Sequence, residues 1–206
     1  LLTASLPLAV QAAKPLVYCA DASPEGFDPG LWDSSSTSAA TRQIFQTLVG
    51  FKRGSTELVP ELATAWEVSP DARTFTFTLR AGVQFHTTPY FTPTRALNAD
   101  DVLFTFGRFI DVKHPFNVAF PATFVQPQSL GLAGLIEGID RLADNRVRFR
   151  LHKPNVTFLA MMASPFAGIH SADYGAKLLA EGRASAINNQ PVGTGPYRFK
   201  SYRKDD

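Results

Sequence analysis

Residues 74 to 80 read Thr-Phe-Thr-Phe-Thr-Leu-Arg, so Phe75, Phe77 and Leu79 alternate with Thr74, Thr76, Thr78 and Arg80. Successive side chains of a strand point to opposite faces, so this stretch has the period of a half-buried strand, following the turn Ser69-Pro70-Asp71. It demands a sheet around it. A second strand is read at Val147, Phe149 and Leu151, after the turn Asp144-Asn145. Between the two, Asn98 followed three residues later by Asp101 resembles a capping box, and Val102, Phe106 and Phe109 form the apolar stripe of the ensuing helix. Strands and helices interleave, so the fold class is α/β.

The same reasoning extends along the chain. Residues 15 to 20, PLVYCA, favour a strand, and the turn-rich DASPEGFDPG after them reads as a long loop. The hydroxyls of Ser34, Ser35, Ser36, Thr37 and Ser38 precede Ala40, Ile44 and Leu48 at helical spacing, which predicts a capped helix running to about Val49. Pro60 opens PELATAW, where Leu62, Ala63 and Trp66 can share the face of a second helix. Ser171 is expected to cap a helix through Leu179, and Tyr197 and Phe199 suggest a strand after the glycine-proline punctuation of GTGP.

A chain of 206 residues that is 45% hydrophobic and 18% charged can bury a substantial core. Its net charge of +2 is small and its basic residues are interspersed with acidic ones, so neither nucleic acid nor an anionic membrane is an expected partner. The first thirteen residues, LLTASLPLAVQAA, carry no charge. They are too short to span a bilayer and read as the tail of a secretory signal peptide, with Val10-Gln11-Ala12 as a cleavage pattern; a buried apolar strand is the alternative. Cys19 is the single cysteine, unusual in an exported protein, and it is read as a sign that the chain belongs to a longer protein.

PELATAWEVSPDARTFTFTLRAGVQFHT, LNADDVLFTFGRF and PVGTGPYRF, in that order, resemble the signature stretches of extracellular solute-binding family 5, which includes oligopeptide- and dipeptide-binding proteins. The opening KPLVYCADASPEGFDPG is most similar to dipeptide-binding members. The resemblance covers residues 14 to 206 and implies the periplasmic-binding-protein type II fold, two lobes around a ligand cleft. On that plan residues 14–50 and 184–206 belong to the ligand-binding first lobe. Residues 51–183 form an α/β subdomain inserted into it, and the second lobe lies outside this sequence. The implied function is capture of short peptides, dipeptides above all, in the periplasm for delivery to the permease subunits, and through them the ATPase, of an ABC importer. No catalysis, cofactor, metal or membrane span is expected, and the protein is expected to be a monomer. The same scaffold also implies haem, glutathione, nickel chelates, sugars or longer peptides as alternative ligands; a secreted hydrolase and an adhesive surface protein are remoter readings.

Ser34, Ser35, Ser36 and Thr37 are the candidate ligand contacts, because a hydroxyl-rich helix N-terminus offers side-chain oxygens and free backbone N–H groups to a peptide's oxygens. Helix capping without a ligand explains the same residues equally well. The resemblance favours the cleft, although relatives carry Gly at the position of Ser35. It also aligns Phe124 with an aromatic bordering the ligand in dipeptide-binding members, against the plainer reading of a core or surface Phe. By resemblance, Cys19 forms a disulfide with a partner outside this chain; the alternative is a free buried thiol. By the same resemblance, the acidic residue that holds a ligand's ammonium group and the arginine that holds its carboxylate belong to the second lobe.

Asp100 and Asp101 are neighbours about 100° apart on a helix, better suited to capping than to acid–base catalysis. His86, His114, His152 and His170 are widely spaced and match no metal-ligand motif. GTGP lacks the Lys-Ser/Thr of a phosphate loop, and no serine or cysteine stands in a nucleophile motif.

Overall fold

The computed structural model describes residues 16 to 204. The expected signal-peptide remnant, residues 1–13, lies outside them. The Thr/Phe alternation forms β4 (Thr74–Leu79), an inner strand of a four-stranded sheet. Its neighbours are β3 (Ala63–Val68), β6 (Arg146–Leu151) and, at the far edge, β5 (Ile136–Ala143), in the order β3-β4-β6-β5 with every pair antiparallel. Phe75 stands opposite Phe149 and Phe77 opposite Val147, so the apolar faces of both strands coincide.

Helix α2 (Ala99–Ile110) begins on the anticipated capping box. Asn98 accepts from the Asp100 N–H at 2.9 Å, and the Asp101 carboxylate accepts from the Asn98 N–H at 2.9 Å. Val102, Phe106 and Phe109 are all buried, and the Phe106 ring meets Phe149 edge-on at 5.0 Å. Burying each such Phe stabilises by about 1.5–3 kcal/mol, so this helix-on-sheet contact anchors the fold. Phe158, on the short helix α6 (Phe158–Met162), closes the cluster at 4.7 Å from Phe75 and 5.4 Å from Phe149.

Short helices α3 (Pro115–Ala119), α4 (Val125–Ser129) and α5 (Leu132–Leu135) link α2 to β5, and α7 (Ala172–Ala180) packs against α2. Ser171 caps α7, as its position predicts, by accepting from the Tyr174 N–H at 3.2 Å. The main apolar core runs from Leu31 to Val192 and so draws on residues from both sides of position 50. A smaller cluster of Phe27, Ile44 and Phe45 sits beside it. No described helix is long and apolar enough to cross a membrane.

Four expectations need correction. PELATAW is not a helix: Pro60 ends β2 (Leu58–Pro60), which pairs with β1 (Val49–Phe51), and Ala63 begins β3. Trp66 lies opposite Phe77 and Val68 opposite Phe75, so pairing with β4 outweighs a helical spacing carried by only three residues. Helix α1 (Ser35–Ile44) stops short of Val49, because Phe45 turns extended and sends Leu48 and Val49 into the core, where the Leu48 carbonyl accepts from the Ala63 N–H at 2.8 Å. PLVYCA forms no strand over its described residues: Leu16 and Val17 are 80% exposed and no described strand pairs with them. Tyr197 and Phe199 form none either; their segment instead runs along the end of α1, with the Gly195 N–H donating to the Ile44 carbonyl at 2.8 Å and Tyr197 to Gln43 at 2.9 Å. A strand exists only against a partner, and sequence period alone does not supply one.

Candidate functional site

The hydroxyl turn is first of all a cap. Ser34 is the N-cap of α1 and accepts from the Thr37 N–H at 3.3 Å. Its hydroxyl also donates to the Glu25 carboxylate at 2.6 Å, Thr37 donates to the same oxygen, and the Glu25 N–H returns a bond to Thr37 Oγ1 at 3.1 Å. Hydrogen bonds from Ser34 and then Thr37 hold the Glu25 carboxyl below its ordinary pKa. Ser35 is exposed, whereas Ser36 and Thr37 are buried. Ser36 lines an apolar groove of about 610 Å³ together with Tyr18, Ala40, Gln43 and Tyr197.

Phe124 occupies a different cleft, of about 440 Å³, which it lines with Arg108, Val112, Asn117, Thr123 and Gln128. It precedes α4 and is only 9% exposed, with its ring 5.0 Å from Phe109. The Arg108 guanidinium lies 5.0 Å from the Phe124 ring, 5.0 Å from Phe116 and 5.6 Å from Phe104, enclosed by three aromatic faces. Structure therefore places Ser36 and Phe124 in separate clefts that share no lining residue.

Beneath Phe124 lies a buried polar cluster that the sequence reading did not single out. Arg108 Nη2 pairs with Asp28 Oδ2, and both side chains are 0% exposed. The other Asp28 oxygen accepts from the Gly30 N–H at 3.1 Å and faces His170 Nε2 at 3.2 Å. His170 is itself buried against the Phe45 ring at 4.7 Å, and its backbone N–H donates to Thr105 Oγ1 at 2.9 Å. Burial alone would raise the Asp28 carboxyl, but the charges of Arg108 and His170 more than offset it and hold the group well below the carboxylate range. Burial pushes His170 below its ordinary value, with Arg108 adding to the effect and Asp28 opposing it. Asn188 fastens the loop that carries Asp28, its Oδ1 accepting from the Phe27 and Asp28 N–H groups at 3.1 Å and from Trp32 Nε1 at 3.0 Å.

Signal for this cluster was present on α2. Asp101, Thr105 and Arg108 repeat at the same spacing as Val102, Phe106 and Phe109, one residue earlier, so α2 buries a polar stripe beside its apolar one. Asp101 serves this second stripe as well as the cap, accepting two bonds from Arg95 at 2.7 and 3.0 Å and one from the Ala172 N–H at 2.8 Å. Asp100 instead pairs with Arg141 at 3.0 Å, so the adjacent acids point to separate partners. His86 bonds the Gly195 carbonyl through Nε2 at 2.8 Å, and His114 caps α3 by accepting from the Phe116 N–H at 3.2 Å. No three His, Cys, Asp or Glu side chains among the described residues are grouped as metal ligands. Cys19 is exposed, which corrects the buried-thiol alternative.

This sheet-and-helix arrangement matches solved periplasmic binding proteins of the type II class. A dipeptide-binding protein from Pseudoalteromonas, solved with Met-Leu, superposes with a TM-score of 0.89 at 44% identity, over 92% of this chain and 38% of that one. Residues 57–206 match the model of bacterial extracellular solute-binding proteins, family 5, and the chain belongs to that family. Di/tripeptide-binding protein 4 of Pseudomonas aeruginosa is 48% identical over 94% of this chain, and heme-binding protein A of Haemophilus influenzae is 41% identical over 92% of it. The chain spans 36% and 35% of the lengths of these two relatives.

Proposed function

We propose that this chain forms part of a periplasmic receptor that captures di- and tripeptides and hands them to the permease of an ABC importer, by binding rather than catalysis. The observation that carries the reading is the 44% identity to the protein solved with Met-Leu, which extends over nearly all of this chain. Export through a signal peptide ending near Ala12, a first lobe of residues 14–50 and 184–206 with residues 51–183 inserted, and a Cys19 disulfide to a partner outside this chain are parts of the same reading. A monomer suffices for it. A receptor for many peptides reads what they share, the backbone and the two charged ends, and accepts varied side chains in less specific pockets. In this reading Ser35 and the N-terminus of α1 offer polar contacts, and Phe124, in its separate cleft, offers an apolar one.

Isothermal titration of the full-length protein with Ala-Ala, Ala-Ala-Ala and haemin tests it. Saturable heat with the peptides, accompanied by compaction in small-angle scattering, is expected. The haem reading, supported by the 41% identity to the Haemophilus relative, predicts saturable haemin absorbance changes and no peptide heat. Silence with every peptide would sink the peptide reading.

A further inference from the structure

The Asp28–Arg108 pair does more than neutralise two charges. Asp28 sits in the loop that leads into the hydroxyl turn, and Arg108 lies against the inner face of Phe124. Gly30 joins the two at close quarters. A Cβ there would stand 2.6 Å from the Phe109 ring and 3.1 Å from the Phe124 ring, while the Gly30 N–H is fixed by Asp28. Loop, ion pair and aromatic ring thus form one packed unit, in which a Cβ at residue 30 would require the Phe109 ring, and with it Phe124, to shift.

A buried pair is an unusual way to gain stability, since desolvation consumes most of the attraction and apolar residues of similar size do as well. The cluster is also incompletely satisfied: Arg108 Nε and Nη1 and His170 Nδ1 are buried without a hydrogen-bond partner among the described residues. Stability alone is therefore a poor reason for it, and geometric specification is the better one. Ion pairing fixes the guanidinium in position and plane. The guanidinium in turn gives Phe124 a flat, charged seat at 5.0 Å.

We infer that Arg108, Asp28 and Gly30 are positioning residues of the ligand site, which fix where the Phe124 ring stands in its cleft and thereby the size of peptide admitted. This rests on the peptide-receptor reading. It differs from a purely structural role in one measurable way. Loss of folded protein weakens apparent affinity for every ligand by the same fraction, so the ratio of two affinities does not move. A displaced Phe124 ring changes that ratio.

The test measures Kd for Ala-Ala and Ala-Ala-Ala by calorimetry on the full-length protein and on Phe124→Ala, Gly30→Ala and Arg108→Met. Expected is a change in the tripeptide-to-dipeptide ratio of at least about fivefold in Phe124→Ala, with Gly30→Ala and Arg108→Met shifting it in the same direction. Arg108→Lys, which keeps the charge, should restore part of the wild-type ratio. Should Arg108→Met fail to fold by circular dichroism, Gly30→Ala and Arg108→Lys carry the comparison. A ratio within about twofold of wild type in Gly30→Ala and in the folded Arg108 variant overturns the inference, as does an unchanged ratio in Phe124→Ala. Wild-type protein that binds neither peptide fails the peptide reading itself, a result separate from either of these.

Discussion

Replacing Asp28 with Ala should be among the most damaging single changes to this fold, and replacing Arg108 together with it should be far milder. Asp28 and Arg108 are both 0% exposed, so solvent screens neither charge and the full penalty of stranding one applies. Breaking such a buried pair costs about 3–5 kcal/mol. The upper end is expected here, because the Gly30 N–H and His170 Nε2 lose their acceptor in the same step. Asp28→Ala/Arg108→Met removes both charges and places a thioether among Phe104, Phe116 and Phe124, a packing that sulfur tolerates well. The double variant should recover all but about 1–2 kcal/mol of the loss. Urea unfolding followed by circular dichroism gives both values, read from the midpoint at constant slope. A cost below about 1 kcal/mol for Asp28→Ala, or a double variant no better than the single one, would refute the claim that the pair is desolvated and mutually dependent.

The same cluster makes stability depend on pH. His170 has a folded pKa below its unfolded one, so the unfolded chain binds a proton that the folded chain resists, and stability falls as pH drops below the unfolded value. The slope is at most about 1.4 kcal/mol per pH unit, and His170→Asn should flatten the melting temperature measured between about pH 7.5 and 5. Asn98→Ala should cost about 1 kcal/mol in urea unfolding by removing the acceptor of the Asp100 N–H, while the Asp101–Arg95 bonds persist. Gly193→Ala would set a Cβ 2.0 Å from the Ile44 carbonyl oxygen. It should lower stability by about 1–3 kcal/mol in the same assay; a neutral effect would mean that the 193–195 segment is not held against α1.

Strands β4 and β6 and helix α2 were legible in the sequence because local period, turn chemistry and capping all agree there, and because the sheet that buries Phe75, Phe77, Phe149 and Phe106 lies within the same stretch of chain. PELATAW was misread because Leu62, Ala63 and Trp66 satisfy helical spacing by coincidence, and β4 supplies a better use for their backbone. Residues 16–20 and 197–199 have strand-like composition without a partner among the described strands, and composition cannot say whether a partner exists.

The candidate site was legible only where it coincides with a cap. Ser34 announces itself by its place before a helix, and the structure gives it that role with Glu25 as an added acceptor. The buried charges packed against Phe124 could not be found as a motif, because Asp28 and Arg108 stand 80 positions apart and Asp28 and His170 stand 142 apart. What could have raised suspicion is Arg108 itself. A charged residue seven positions after Asp101, with Thr105 between, continues a buried stripe rather than the solvent face of α2. An arginine there needs a carboxylate from elsewhere in the chain, and the loop before α1 provides Asp28 beside the glycine that lets Phe109 and Phe124 approach. On the proposed positioning role, this buried charge, more than the hydroxyl turn, is where fold and ligand selection meet.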